Sequence, residues 1–85
     1  MLRIAKLTDY ATGLMTQMAH QSDRWVSAQQ LALELGLPAP TVARLLKLLG
    51  RAGLVVSQRG KGGGYGLARP AREISVAEVI AAIEG

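Results

Sequence analysis

The sequence predicts one domain that is mainly α-helical and carries a small β-hairpin. Two capping patterns, at residues 27–30 and 75–78, each open an apolar run of helical period. Two short runs, at 54–57 and 65–68, flank a glycine-rich segment in the manner of two strands and the tip that joins them. With 85 residues, 49% of them hydrophobic and 19% charged, the chain is long enough for one core and too apolar for disorder.

Two helices are expected in the first 35 residues. The first is predicted to begin at Thr8 or Asp9, either of which can cap free amides, and apolar residues then recur at helical spacing. The second is expected over about residues 27–35, where Ser27 and Gln30 would satisfy each other's terminal amides in a capping box. The residues of this helix expected to point inward are Leu31, Leu33 and Leu35.

A third helix follows a very short turn. Gly36 can adopt the left-handed conformation that ends a helix, and Pro40 is expected at the first position of the next one. Apolar residues at i, i+3, i+4 and i+7 then predict one buried stripe, formed by Val42, Leu45, Leu46 and Leu49. Arg44, Lys47 and Arg51 fall outside that stripe, so the helix is predicted to be apolar inside and cationic outside.

A hairpin and a last helix complete the order. Gly53 ends the third helix, the two strands and their glycine tip occupy about residues 54–68, and Pro70 prevents the second strand from continuing. The last helix is expected over about residues 75–84. Its inward residues are expected to be Val76, Val79, Ile80 and Ile83.

This order predicts a winged helix-turn-helix over residues 1–85, with the helix-turn-helix at about 27–52 and the wing at about 54–68. In such folds the second helix of the helix-turn-helix fits the DNA major groove. Glycines at the wing tip let the backbone approach a phosphate wall or the minor groove closely.

The charge distribution favours a polyanionic partner. The net charge is +4, and no acidic residue occurs between Glu34 and Glu73. Seven of the ten cations lie in that stretch: Arg44, Lys47, Arg51, Arg59, Lys61, Arg69 and Arg72. Aromatic residues make up 4% with no Phe, too few for the stacking platforms that bind RNA, so duplex DNA is the better partner.

Several other classes fit the sequence poorly. The chain has no Cys, which excludes disulfides, a Cys-based zinc site and a Cys nucleophile. Lys61 precedes Gly62 rather than Ser or Thr, so the glycine tip is no P-loop, and the six carboxylates form no catalytic constellation that would indicate an enzyme. No signal peptide or membrane-spanning run occurs, which predicts a cytoplasmic protein. A protein-interaction module remains an alternative, because winged helices also dock onto proteins.

Four motifs carry a resemblance to a known family. They are residues 7–11 (Leu-Thr-Asp-Tyr-Ala), 53–55 (Gly-Leu-Val), 59–65 (Arg-Gly-Lys-Gly-Gly-Gly-Tyr) and 74–80 (Ile-Ser-Val-Ala-Glu-Val-Ile). Together they resemble the winged helix-turn-helix regulators that include the iron-sulfur cluster regulator IscR and the nitric-oxide sensor NsrR. Residues 1–4, 6–12 and 40–42 most resemble the branch that regulates the SUF iron-sulfur assembly system.

The resemblance implies a homodimeric transcription factor that binds palindromic double-stranded DNA, A·T-rich at the wing contacts, and regulates iron-sulfur cluster assembly genes. A nitric-oxide-responsive or redox-responsive regulator of the same family is the alternative. In the family, three Cys just beyond the wing hold an iron-sulfur cluster, and a long dimerisation helix follows. We therefore expect these residues to be the DNA-binding portion of a longer regulator, whose cysteine segment would begin after Gly85, with no cofactor or metal in this chain.

The resemblance also implies DNA-binding residues. Base contacts at the start of the third helix and at the wing tip carry over to Pro40, Thr41, Ala43, Arg44, Arg59, Gly60 and Lys61. The cationic face adds Lys47 and Arg51 as phosphate contacts, and Ser27 and Gly62 complete the set. Ala43 departs from the family pattern, since IscR has an acidic residue there, and it lacks an acceptor for cytosine amino groups.

Overall fold

The computed structural model describes residues 2–85, with side chains from Lys6 onward. Met1, at which the predicted domain and the branch resemblance begin, lies outside the described residues. The elements are α1 (Leu2–His20), α2 (Ala28–Leu35), α3 (Ala39–Arg51), β1 (Val55–Gln58), β2 (Gly64–Leu67) and α4 (Val76–Glu84), with a 3₁₀ turn at Ala71–Glu73. The predicted fold class, mainly α with a small β-hairpin, is confirmed.

The start of α1 differs from the prediction. The helix begins at Leu2, so Thr8 and Asp9 lie inside it and do not cap it. The Thr8 carbonyl instead accepts a hydrogen bond of 2.9 Å from Thr12 Oγ1, the back-bonding that Thr makes within helices. Leu7 and Tyr10 already pack against the core, so the helical pattern extends upstream of the expected cap.

The N-terminus of α2 keeps half of the predicted capping box. Ser27 Oγ accepts the Gln30 amide at 3.0 Å, but the Gln30 side chain donates to Glu34 Oε2 at 2.9 Å instead of reaching back. Leu31 is fully buried, whereas Leu33 is 78% exposed, and its predicted inward position is wrong. Residues two apart on a helix lie about 200° apart, so both cannot face one core.

The turn into α3 is made by three residues, 36–38. Gly36 ends α2 with φ 68°, and the Leu37 amide donates to the Ala32 carbonyl at 3.0 Å. Pro38 caps α3 in an extended conformation, so the helix begins at Ala39 and Pro40 takes its second position, not its first. The predicted apolar stripe of α3 is confirmed, since all four of its residues are at most 1% exposed.

The hairpin is joined to the helix-turn-helix by one backbone bridge that the sequence did not reveal. β1 and β2 pair antiparallel, with Val55 opposite Leu67. Val26 and Tyr65 exchange two backbone hydrogen bonds, of 3.1 and 2.8 Å. At Gly64 (φ 143°) a Cβ would lie 2.6 Å from the Val26 carbonyl carbon, so this close approach requires glycine.

The last helix, α4, packs on α1 and α3 and closes the core. Its predicted capping box is complete, with Ser75 and Glu78 satisfying each other's backbone amides. Val79 is buried, but Val76 is 61% exposed, so its predicted inward position is wrong. Val76 is the first residue of α4.

We predict that Gly64→Ala lowers the free energy of unfolding by about 1–3 kcal/mol, because a methyl group strains the backbone and meets Val26. Gly50→Ala is the matched control, since its Cβ would find Val55 at an ordinary 3.8 Å. Gly50 lies in the last turn of α3, so that change should leave stability unchanged or raise it by at most about 0.5–1 kcal/mol, the gain expected in the middle of a helix. Urea unfolding measures both, and equal stability of the two variants would disprove the close approach.

Candidate nucleic-acid interface

The exposed side of α3 carries three cations that we call the cationic stripe: Arg44, Lys47 and Arg51. All three are exposed and follow one another at intervals of three and four residues. They lie opposite the buried stripe, which packs into the core. The core therefore fixes the direction in which the cationic stripe faces.

Ala43 and Lys47 lie on the side of α3 that faces the hairpin. With Gly50 they line a shallow groove whose other wall includes Val56 and Ser57. Pro40 is exposed near the start of α3, whereas Thr41 is only half-exposed. The predicted contacts of α3 therefore lie together at its start and along its outer side.

The wing tip is an exposed five-residue loop, residues 59–63, between the two strands. The Gly63 amide donates to the Gly60 carbonyl at 3.0 Å, closing a tight turn with Lys61 and Gly62 at its centre. Gly62 has φ 81°, the conformation that the third residue of a type II turn requires. A Cβ at Gly63 would collide with the backbone of Gln58, so the hairpin's own geometry requires this glycine.

Ser27 lies away from α3, at the base of the wing. Its hydroxyl caps α2, and its amide nitrogen would stand 3.0 Å from a Cβ at Gly64. The structure therefore places the predicted residues in three groups, on α3, at the wing tip and at the base of the wing.

One cation of the acid-free stretch has a carboxylate partner. Arg69 pairs with Glu78, although no acidic residue lies within the stretch itself. The partner was missed because Glu78 lies beyond the acid-free stretch and reaches Arg69 only through the fold. Within residues 6–85, no ion pair involves the cationic stripe, Arg59 or Lys61.

Glu34 connects α2 to α1 through side-chain amides. It accepts hydrogen bonds from Gln30 at 2.9 Å, Gln21 at 2.6 Å and Gln17 at 3.1 Å. The Gln30 and Gln21 amides, in that order, are the main causes that hold the pKa of Glu34 below its ordinary value. The Glu34 carboxylate, on the first helix of the helix-turn-helix, therefore makes its hydrogen bonds within the protein.

The residues of this chain do not fit an iron-sulfur cluster. The sequence has no Cys, and no three His, Asp or Glu side chains in the described part of the chain come together as a metal site. None of the described helices is both long and apolar enough to cross a membrane.

Comparison with known proteins identifies the family. A family model described as Rrf2, iron-dependent transcriptional regulator, matches residues 4–85. The chain belongs to the Rrf2 family. Its membership in a family of transcriptional regulators confirms the resemblance to IscR-type regulators and the expectation that the chain is not an enzyme.

Three similar proteins illustrate the match. One is a Mycobacterium tuberculosis protein whose name describes it as an HTH-type transcriptional regulator. It is 39% identical to this chain, over 99% of this chain and 53% of its own length. The solved structure of T. potens IscR has a TM-score of 0.88 and 38% identity, covering 93% of this chain and 58% of that one. CymR, the global cysteine regulator of B. subtilis, has a TM-score of 0.87 and 29% identity, covering 93% and 62%. This chain thus spans about half the length of the M. tuberculosis relative.

We predict that stability falls as the pH drops below about 4.5, the ordinary pKa of both Glu34 and Glu78. Folding lowers the pKa of Glu78 mainly through the Ser75 amide and then through Arg69. With both pKa values lowered, the unfolded chain binds more protons below this pH, so stability present above it is lost on acidification. Urea unfolding across the acidic range measures the slope. The E34Q/E78Q double variant should have a flatter slope, and an unaltered slope would contradict the assignment.

Proposed function

We propose that residues 1–85 form the DNA-binding portion of a transcription regulator and bind duplex DNA sequence-specifically. The observation that supports this most is the cationic stripe, which has no carboxylate partner in the described chain and lies on the helix that follows a three-residue turn. An α-helix fits the major groove, where its first exposed residues meet base edges and the following cations meet phosphates.

Base reading is assigned to the start of α3. Arg44 can form two hydrogen bonds with one guanine, and Thr41 offers a hydroxyl. Pro40 and the exposed Ala43 offer only apolar contacts, which suit a thymine methyl better than a cytosine amino group. Lys47 and Arg51, farther along α3, are assigned to phosphates. Ser27, at the N-terminus of α2, is assigned to the DNA backbone as well.

The wing tip is assigned to the minor groove. Arg59 and Lys61 are exposed, and the intervening Gly60 and following Gly62 have no side chains to obstruct an approach. Narrow A·T-rich minor grooves concentrate negative potential and attract an inserted guanidinium. We therefore propose that sites bound by this chain are A·T-rich where the wing meets them.

In a longer form we propose a homodimer on a palindromic operator, because two linked copies read two half-sites together. The target genes we propose are those of iron-sulfur cluster assembly, supported by the similarity to T. potens IscR and by the motifs shared with the SUF branch. Any cluster would take its ligands from outside these 85 residues. Such a regulator would act in the cytoplasm. CymR, which is structurally similar to this chain, is a global cysteine regulator, so a signal other than an iron-sulfur cluster is the alternative.

A protein-docking module is the second candidate, and one observation favours it. Leu33 is exposed on α2, and beside it Leu37 and Ala39 line an apolar groove. A salt titration distinguishes the two functions. For DNA binding the logarithm of affinity falls steeply with the logarithm of salt concentration, whereas apolar docking is nearly indifferent to salt.

We predict that removing either of two cations of the cationic stripe lowers the affinity for DNA, but in different ways. The affinity is measured by fluorescence anisotropy on duplexes selected from a randomised pool. Arg44→Ala should cost roughly 1–3 kcal/mol and relax the preference at one base pair. Lys47→Ala should weaken binding to all duplexes alike and lower the salt slope by about one. Arg72→Ala, which removes an exposed cation outside α3 and the wing, is the control. If it matches Lys47→Ala, the interface is misplaced.

We predict that Arg59→Lys weakens binding most at sites with A·T-rich flanks. The ammonium group is more strongly hydrated than guanidinium and loses more on entering a narrow groove. The measurement is an affinity series in which only base pairs outside the α3 contacts change. Identical responses of the wild type and the variant to A·T and G·C flanks would leave the wing a structural hairpin only.

A further inference from the structure

A side-chain contact joins the end of the wing to α4. The last backbone bond of the hairpin runs from the Ala68 amide to the Leu54 carbonyl, at 3.0 Å. Arg69 follows directly, and its Nη2 donates to Glu78 Oε1. This is the single ion pair found within residues 6–85, and it involves the residue that directly follows the wing.

The acceptor of this contact is held firmly in the first turn of α4. Glu78 Oε2 accepts hydrogen bonds from the Ser75 amide at 2.9 Å and from Ser75 Oγ at 3.3 Å. The helix α4 packs against both α1 and α3. Glu78 is therefore fixed relative to α3 by contacts that do not involve Arg69.

The contact between Arg69 and Glu78 contributes little to the stability of the fold. The Arg69 and Glu78 side chains are 39% and 40% exposed, and exposed ion pairs add at most about 1 kcal/mol to stability. The start of the wing is anchored in the core, since Leu54 and Val55 are buried and β1 packs against α3. The returning strand is linked laterally by the Val26–Tyr65 bridge, and the pair at Arg69 restrains the end of this strand.

We propose that Arg69 and Glu78 are positioning residues that hold the wing at a fixed orientation to α3, so that its tip reaches the minor groove while α3 occupies the major groove. Glu78 also neutralises Arg69, which removes this cation from the DNA-facing set. The DNA part of this proposal rests on the proposed function, whereas the restraint on the wing does not.

Three variants separate positioning from stability. Glu78→Gln keeps an oxygen for the Ser75 amide, as Gln does in capping boxes, but removes the charge that Arg69 binds. Arg69→Met removes the other partner and keeps an apolar stem. Ser75→Ala is the control, because it removes the hydroxyl cap of α4 and the longer 3.3 Å bond to Glu78, but keeps both charged partners and the 2.9 Å bond from the Ser75 amide to Glu78.

Hydrogen exchange at the Tyr65 and Ala68 amides reports the restraint directly. We expect Glu78→Gln and Arg69→Met to increase the exchange rates of these amides by roughly two- to fivefold, which corresponds to the stability that an exposed ion pair contributes. The same variants should reduce the preference of the protein for duplexes with A·T flanks. When Lys47→Ala is added to either variant, it should lower the affinity by the same factor as it does in the wild type. Ser75→Ala should alter neither readout.

Unchanged exchange in both charge variants, or equal effects in Ser75→Ala, would overturn the proposal. Faster exchange with an unaltered preference for flanking sequence would overturn its DNA part. Should the wild type bind no duplex, the proposed function fails, and the exchange measurement still decides whether the pair restrains the wing.

Discussion

The burial of one face of α3 is the constraint on which the rest of the structure depends. Val42, Leu45, Leu46 and Leu49 are almost completely removed from solvent, and each such side chain contributes about 1.5–3 kcal/mol when buried. The neighbouring helices α2 and α4 and the strand β1 all pack against α3. Because the apolar face can point only inward, the cationic stripe on the opposite side can point only outward. Stability and the proposed DNA contact therefore arise from the same helical periodicity.

The wing extends this surface but is held by fewer interactions. Backbone pairing between Val26 and Tyr65 joins it to the segment before α2, and Gly64 makes this approach possible. The glycines of the wing thus serve different purposes. Gly63 and Gly64 satisfy contacts within the protein, whereas Gly60 and Gly62 make the turn and leave open space around it. The base of the wing is therefore fixed by contacts within the protein, whereas the tip is free of such contacts at Gly60 and Gly62.

The features that the sequence predicted well are those set by neighbours along the chain. The stripe of α3, the αL conformation of Gly36 and the box between Ser75 and Glu78 each depend on residues within one or two helical turns. The order of helices and strands followed from the same local signals. The candidate DNA-binding residues came from this order and from the family resemblance, so their grouping on α3 and the wing was foreseeable.

The errors arose where a stronger acceptor, tertiary packing or a partner elsewhere in the fold outweighed the local signal. The sequence predicts that the Gln30 side chain caps its own helix, but Glu34 is a charged acceptor on the same helix, and the Gln30 amide donates to it instead. The sequence predicts the start of α1 at Thr8 or Asp9, because either side chain can cap a helix, but α1 begins at Leu2 and Leu7 already packs against the core. Neither the Val26 bridge, a single pair, nor the Arg69 contact leaves a periodic pattern in the sequence, so both required the structure.

In the complex that we propose, α3 and the wing tip contact one duplex in adjacent grooves. Because the chain has no Cys, a single thiol introduced by Lys47→Cys or Lys61→Cys can carry an iron chelate that cleaves DNA nearby. We expect each variant to cut a selected duplex at one narrow position. The two positions should lie about half a helical turn, roughly 5 base pairs, apart. Cleavage spread evenly along the duplex, or confined to the same position for both variants, would contradict the account.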